Sequence, residues 1–257
     1  MSRFTPEQIQ QLGSILSSER LEHWKTLVAH SNLSAWRMRT GLRLPAENEH
    51  AVRLHEWNST MAASILASLQ LFELSLRNHI HAAMTSYYQN ENWWGIKKDG
   101  NWTPSDLLVG DQAEDVAAAI RRGARRQKGV TSGYIISQMS FGFWLALLGP
   151  TYDNPNGNLG HWRNCLSAVF LGKGKVDRKK VFQGLEEIVK LRNMCAHHDP
   201  IVTLNLNTEF QKIVFFAGRF SIYTAEWISD TSLVHHLAQS DWLSGLSTAG
   251  RLVGSRK

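Results

Sequence analysis

Long apolar runs are missing from this chain. No stretch approaches the roughly 18 unbroken apolar residues that a membrane-spanning helix needs; the segment IVFFA at 213–217 is soon interrupted by Gly218 and Arg219. The opening residues, MSRFTPEQIQ, carry Glu7 and no apolar core of a signal peptide, so a cytoplasmic protein with no membrane partner is expected. Cysteine is scarce as well. Cys165 and Cys195 lie thirty residues apart without any CxxC spacing, which indicates neither a disulfide framework nor a zinc knuckle. Both are expected as small core hydrophobes. The stretch GKGKVD lacks the spacing and the following Ser/Thr of a phosphate-binding loop, so nucleotide hydrolysis is not supported. Internal repeats and low-complexity tracts are absent too.

What is present is enough for a core: 257 residues with 43% hydrophobic content, read as one domain over 1–257. The formal net charge of +6 favours anionic partners, nucleic acid first among them.

Helical signals dominate. Thr5, Pro6 and Gln8 form an N-cap, a first-turn proline and a capping box. SERLEHWKTLVAH places Leu21, Trp24 and Leu27/Val28 on one face, and residues 31–46 read as irregular. From Glu47 to Tyr88 there is neither proline nor glycine, and Ile65, Leu69, Phe72, Leu76 and Ile80 recur at helical spacing, predicting a long helix with a break near Asn58 and Ser59. NENWWGIKKDGNWTPSD reads as a connection anchored by Trp93, Trp94 and Trp102. Further helices are predicted over Asp111 to Arg126, over SGYIISQMSFGFWLALLG with a kink around Gly142, from His161 to about Leu171, from Asp177 to His198, and over about 208–229 and 231–245. Only PIVTLNL has the flavour of a strand. The expected architecture is all-α, a helical bundle with its core at about 47–229 and with the N-terminal helices of 1–46 and a C-terminal helix of 230–257 as appendages.

The Asp177 helix carries an anomaly. Its apolar stripe runs through Val181, Phe182, Leu185, Ile188, Val189 and Cys195, and Arg192 falls on that stripe, four residues after Ile188. An uncompensated buried charge costs several kcal/mol, so a partner or an opening is required. Asp199-Pro200 ends the helix close by, because the residue before a proline is pushed out of the α region. At about 100° per residue, Asn193 and His197 lie about 40° apart and Arg192 about 140° round from His197, an angle that a long arginine side chain can bridge. A guanidinium, an amide and an imidazole near one helix end make a suitable set for phosphodiester chemistry.

LRNMCAHHDPI resembles the HEPN ribonuclease signature, in the form RN…AHHEPI of the Abi-like (abortive infection) branch, and FELSLRNHI and MSFGFWLALL resemble two further segments of that branch. The likeness covers about residues 50–202, with Asp199 where the branch often has Glu. It implies a HEPN-like bundle that forms a homodimer, setting two Arg-His pairs face to face in a composite endoribonuclease site without metal or other cofactor, in a toxin of phage defence or growth arrest. In that reading Arg192 binds and stabilises the scissile phosphate, His197 acts as general acid or base in 2′-OH attack, and Asn193 orients the substrate or His197. Glu73 and Arg77 match the acidic and basic positions of the long helix; being i, i+4 they can pair, and Glu73 is the preferred partner of Arg192. An antitoxin, or a regulatory RNA or protein, would be a further partner.

Other readings stand beside this one. Arg192 could serve a structural ion pair at a helix end, and His198 is better read as a helix-dipole partner than as a second base. His197, His198 and Asp199 could in principle hold a metal, as in a metal-dependent hydrolase. The whole fold could be a non-catalytic module binding RNA or protein within a toxin–antitoxin or defence complex. Among the cations, Arg121, Arg122, Arg125 and Arg126 could neutralise phosphates or merely solvate a helix face. Lys173, Lys175, Lys179 and Lys180 cluster near a helix N-terminus, where positive charge opposes the macrodipole unless an anion is present. Trp93, Trp94 and Trp102 could stack bases, although packing is the better use of so many indoles.

Overall fold

The computed structural model describes residues 5–30, 47–125, 129–154, 159–170 and 177–234. Among the described residues the protein is mostly helical, 73% helix against 4% strand, which is the all-α character. The first helices form as their caps dictate. In α1 (Pro6–Ile15) the Gln8 amide donates to Thr5 Oγ1 at 3.2 Å and the Thr5 amide to Gln8 Oε1 at 2.8 Å, the reciprocal bonds of a capping box. In α2 (Ser18–His30) Trp24 and Val28 are buried.

Helix α3 (Glu47–Tyr88) runs 42 residues without the break expected at Asn58 and Ser59. The buried Asn58 amide bonds to another segment instead of competing for its own backbone, so the usual reason for an asparagine to interrupt a helix does not apply. By length and composition the span His50–Tyr88 could cross a membrane, yet Leu69, Phe72, Leu76 and Ile80 are all packed inside protein.

After α3 comes a two-stranded antiparallel hairpin, β1 (Gly95–Lys98) and β2 (Asn101–Pro104), paired from Gly95↔Pro104 to Lys98↔Asn101. Its turn residues, Asp99 and Gly100, have φ of 49° and 82°, the left-handed pair that a tight hairpin demands. This corrects the reading of 90–106 as an aperiodic connection, and the strand-like PIVTLNL is in fact turn and coil leading into a helix. Trp93 and Trp94 are buried, and the half-buried Trp102 lies against Trp94 with centroids 4.8 Å apart, so these indoles are used in packing.

Helix α4 (Asp111–Arg125) matches its prediction, but the apolar stretch after it divides into α5 (Ser132–Gln138) and α6 (Phe141–Ala146). The division lies at Met139–Ser140, before Gly142: Met139 is extended, and Ser140 Oγ caps the next helix by accepting from the Phe143 amide at 3.2 Å. The helix expected from His161 to Leu171 is only one turn of α7 (His161–Asn164) and a 3-10 turn at Leu166–Val169, separated at Cys165, whose φ is −149°. Helix α8 (Arg178–Ala196) is followed by α9 (Leu206–Phe220) and α10 (Ile222–Thr231), which replace the single helix predicted over 208–229; the Ser221 hydroxyl caps α10 through the Thr224 amide at 3.2 Å. The irregular 31–46 segment and the end of the expected 231–245 helix fall outside the described residues.

Two compact units emerge, interleaved along the chain. The first takes in Met1–Ser68, Leu191–Gln211 and Thr231–Lys257; the second takes in Leu69–Lys190 and Lys212–Asp230. In the first, Trp24, Leu54, Met61, Ile65, Leu191, Cys195 and Phe210 are buried. The second is richer in aromatics: Phe220 meets Phe72 edge-on at 5.2 Å, and the ring of Phe216 lies so close to Gly184 that a methyl group there would overlap it.

Candidate functional site

The arginine singled out by its helical phase sits in the first unit, on the last turn and a half of α8. The buried side of that turn is formed by Leu191 and Cys195, while Arg192 is half-buried and Asn193 exposed. The Arg192 guanidinium is therefore not sealed in the core. Its Nη1 donates to Asn193 Oδ1 at 3.3 Å, and among the described residues of its unit no carboxylate forms an ion pair with it. Desolvation is thus relieved by an opening to solvent and one amide oxygen, leaving most of the guanidinium donors available to a planar oxyanion.

The helix ends earlier than the Asp-Pro pair alone would require. Ala196 is its last residue; the His198 amide donates to Cys195 O at 3.4 Å and the Asp199 amide to Met194 O at 2.9 Å, the two bonds of a Schellman closure. The residue in the left-handed position is His198, with φ of 61°. Glycine normally fills that position, and a side chain there costs about 1 kcal/mol. His197, one residue beyond the helix, keeps a helical bond from its amide to Asn193 O at 2.9 Å and exposes its imidazole. Among the described residues its ring forms no hydrogen bond to Arg192 or Asn193. The structure thus gathers Arg192, Asn193, His197 and His198 at one exposed helix end and joins the first two directly.

Three contributors were not singled out in the sequence. Asn58 of α3, only 1% exposed, accepts from the Ile201 amide at 2.8 Å and donates to Asp199 O at 3.1 Å, fastening the backbone immediately after the two histidines. Its only trace in the sequence is a polar residue on the buried side of an apolar repeat, which by itself reads as a helix break. His55, one turn earlier on α3, meets Trp24 edge-on at 5.3 Å. Its pKa is lowered, first by burial and then by Arg20 and His198, so the third contributor is Arg20 of α2.

The remaining candidates lie in the second unit. Glu73 and Arg77 are half-buried on α3, and Arg77 Nε donates to Asn78 Oδ1 at 3.3 Å. Arg121, Arg122 and Arg125 are exposed on α4; Arg126, Lys173 and Lys175 fall outside the described residues. Lys179 and Lys180 are exposed in the first turn of α8, at the opposite end of that helix from Arg192. There the Asp177 carboxylate accepts from the Lys179 amide at 2.9 Å, supplying the negative charge that the macrodipole favours. Both cysteines are buried, with thiols pushed up by burial to about 11 for Cys165 and about 12 for Cys195, which makes them core groups and poor nucleophiles. Among the described residues no three His, Cys, Asp or Glu side chains are grouped to hold a metal ion.

No family model, curated protein or solved structure matches this chain.

Proposed function

We propose that the protein is an endoribonuclease toxin of the HEPN type, resembling the Abi-like branch, with a HEPN-like bundle as its fold. It acts in the cytoplasm in phage defence or growth arrest. The observation that carries this reading is Arg192: a cation flanking the buried side of α8, half-exposed beside Asn193 and five residues before His197, with no ion pair in its own unit among the described residues. A guanidinium so placed suits a phosphodiester, whose paired oxygens match its fork.

The chemistry follows from the groups. Arg192 neutralises the scissile phosphate. An imidazole removes the proton from the 2′-OH, O2′ bonds to phosphorus, the P–O5′ bond breaks, and an imidazolium protonates the departing O5′. A cyclic phosphate and a 5′-hydroxyl result. Base and acid must act on opposite sides of the phosphorus, and a homodimer presenting two His197 side chains would supply both, with Asn193 orienting the substrate or the ring. Glu73 and Arg77, which can pair with each other on α3, are read as supporting residues, and the cations of α4 and of the first turn of α8 as ones that bind RNA backbone. An antitoxin or a regulatory RNA would restrain the active form.

Purified protein is expected to cleave RNA in EDTA and to leave cyclic or 2′/3′-phosphate ends, and expression is expected to arrest growth. Arg192→Ala and His197→Ala should each abolish both. Full cleavage by either variant removes the assignment, and salt-dependent RNA binding without cleavage would make the protein a binding module.

A further inference from the structure

The proposed cleavage chemistry leaves His55 without a task, although its surroundings are specific. His55 and Asn58 are three residues apart and so share a face of α3. Asn58 is bonded to the backbone at Asp199 and Ile201, which sets that face against the turn containing His198. From α2, Trp24 holds the His55 ring edge-on, at 90° and 5.3 Å between centroids. Arg20 precedes Trp24 by four residues and therefore points from the same side of α2. Three segments thus converge on His55, whose pKa is lowered by burial first and then by Arg20 and His198.

A protonated His55 is disfavoured there, by burial above all. Like charges raise one another's energy, and His55 is half-buried. The turn adds a further cost, since His198 occupies a left-handed position that glycine would fill without strain. Packing does not explain it, because His198 is exposed. An exposed imidazole held at a strained position, near a half-buried imidazole and an arginine, fits a ligand that brings negative charge.

We propose that Arg20, His55 and His198 form a subsite for a phosphodiester group of a polynucleotide backbone, next to the Arg192–His197 pair along the chain. The inference rests on the ribonuclease reading only for the nature of the polymer; the phosphate cradle stands on its own geometry. Trp24 and Asn58 are positioning residues, one for the His55 ring and the other for the His198 turn. Arg20 supplies the permanent charge, and the imidazoles bind as donors to phosphate oxygens.

Two measurements on the full chain test this. In the first, inorganic phosphate is titrated while the imidazole resonances are followed by NMR; the signals of His55 and His198 should shift together and saturate. In the second, a 2′-O-methyl oligoribonucleotide, which cannot be cleaved through its 2′ oxygen, is bound to wild type and to Arg20→Gln, His55→Asn and His198→Gly. Each variant should bind about tenfold more weakly, and Arg20→Gln should lower the salt dependence by about one ion. His198→Gly guards against a folding artefact, because it relieves the left-handed strain and should raise Tm while weakening binding. Wild-type affinity in all three variants overturns the subsite, as does a phosphate titration that leaves His55 and His198 unmoved. Cleavage of ordinary RNA is measured alongside: loss of affinity in the variants with no cleavage by wild type keeps the subsite and removes the nuclease, and cleavage with unchanged affinities does the reverse.

Discussion

His161 and His198 show two opposite uses of one side chain. His161, in the second unit, is fully buried, and both ring nitrogens are satisfied: Nε2 donates to Leu107 O at 2.9 Å, and Nδ1 accepts from the Tyr88 hydroxyl at 2.9 Å. The Tyr152 ring stacks on it at 5.2 Å and 15°. Burial pushes the Tyr88 phenol up to about 12, so that donor keeps its proton. His198, in the first unit, is exposed and held at φ of 61°. One imidazole is fixed by everything around it, while the other strains the backbone and contributes nothing to the core. A histidine used for stability is recognised by satisfied nitrogens, and one that costs stability points to a task outside the fold.

The comparison can be broken most easily at His161. His161→Ala leaves a cavity and two unsatisfied polar groups, and should lower unfolding free energy by about 3–5 kcal/mol in urea denaturation. Next comes Asn58→Ala, which frees a buried amide and a carbonyl beside the histidine turn; a loss of about 2–3 kcal/mol is expected, with increased hydrogen exchange at Ile201. A smaller loss would mean that the turn is held by other contacts.

Acid should act through the imidazoles that are wholly or partly removed from water. His161, His81 and His55 are all lowered from 6.5, each chiefly by burial. The unfolded chain therefore takes up protons near pH 6.5 that the folded chain does not, so stability is complete above that pH and declines as pH falls below it. His161→Gln should reduce the acid-side slope by up to about one proton. An unchanged slope would show that His161 is not the group responsible.

The smallest effect has the opposite sign. His198→Gly should raise stability by about 1 kcal/mol, because glycine enters the left-handed region without strain. A loss of stability would mean that the imidazole has a structural partner, and the contrast with His161 would dissolve.

Much of the helical content was legible because caps and apolar spacing are local. Thr5-Pro6-Gln8 and the Ile65-to-Ile80 repeat each named their helix correctly. The misses share a cause. Asn58 looked like an interruption because its partners lie more than a hundred residues away in the chain. Ser140 and Ser221 end one helix and start another through single hydroxyl bonds, a signal weaker than the glycine and the apolar continuity beside them. The hairpin leaves little periodic signal because each strand has only four residues, although Asp99-Gly100 is a strong turn pair. Arg192 was named from its helical phase, and Asn193 and His197 from their place beside it near one helix end, whereas Arg20 and His55 are ordinary surface-type residues until their helices are packed.

From its sequence alone, then, the protein was bound to be mainly helical and basic, with an arginine on the apolar side of a helix that must stop near Asp199-Pro200. Those are consequences of neighbours within a few residues, where periodicity, capping and proline sterics act. Only the tertiary structure decided that this arginine is half-exposed, that a distant asparagine clamps the turn behind it, and that His55 packs edge-on against Trp24 of another helix. Such arrangements depend on contacts between remote segments, and no local pattern records them.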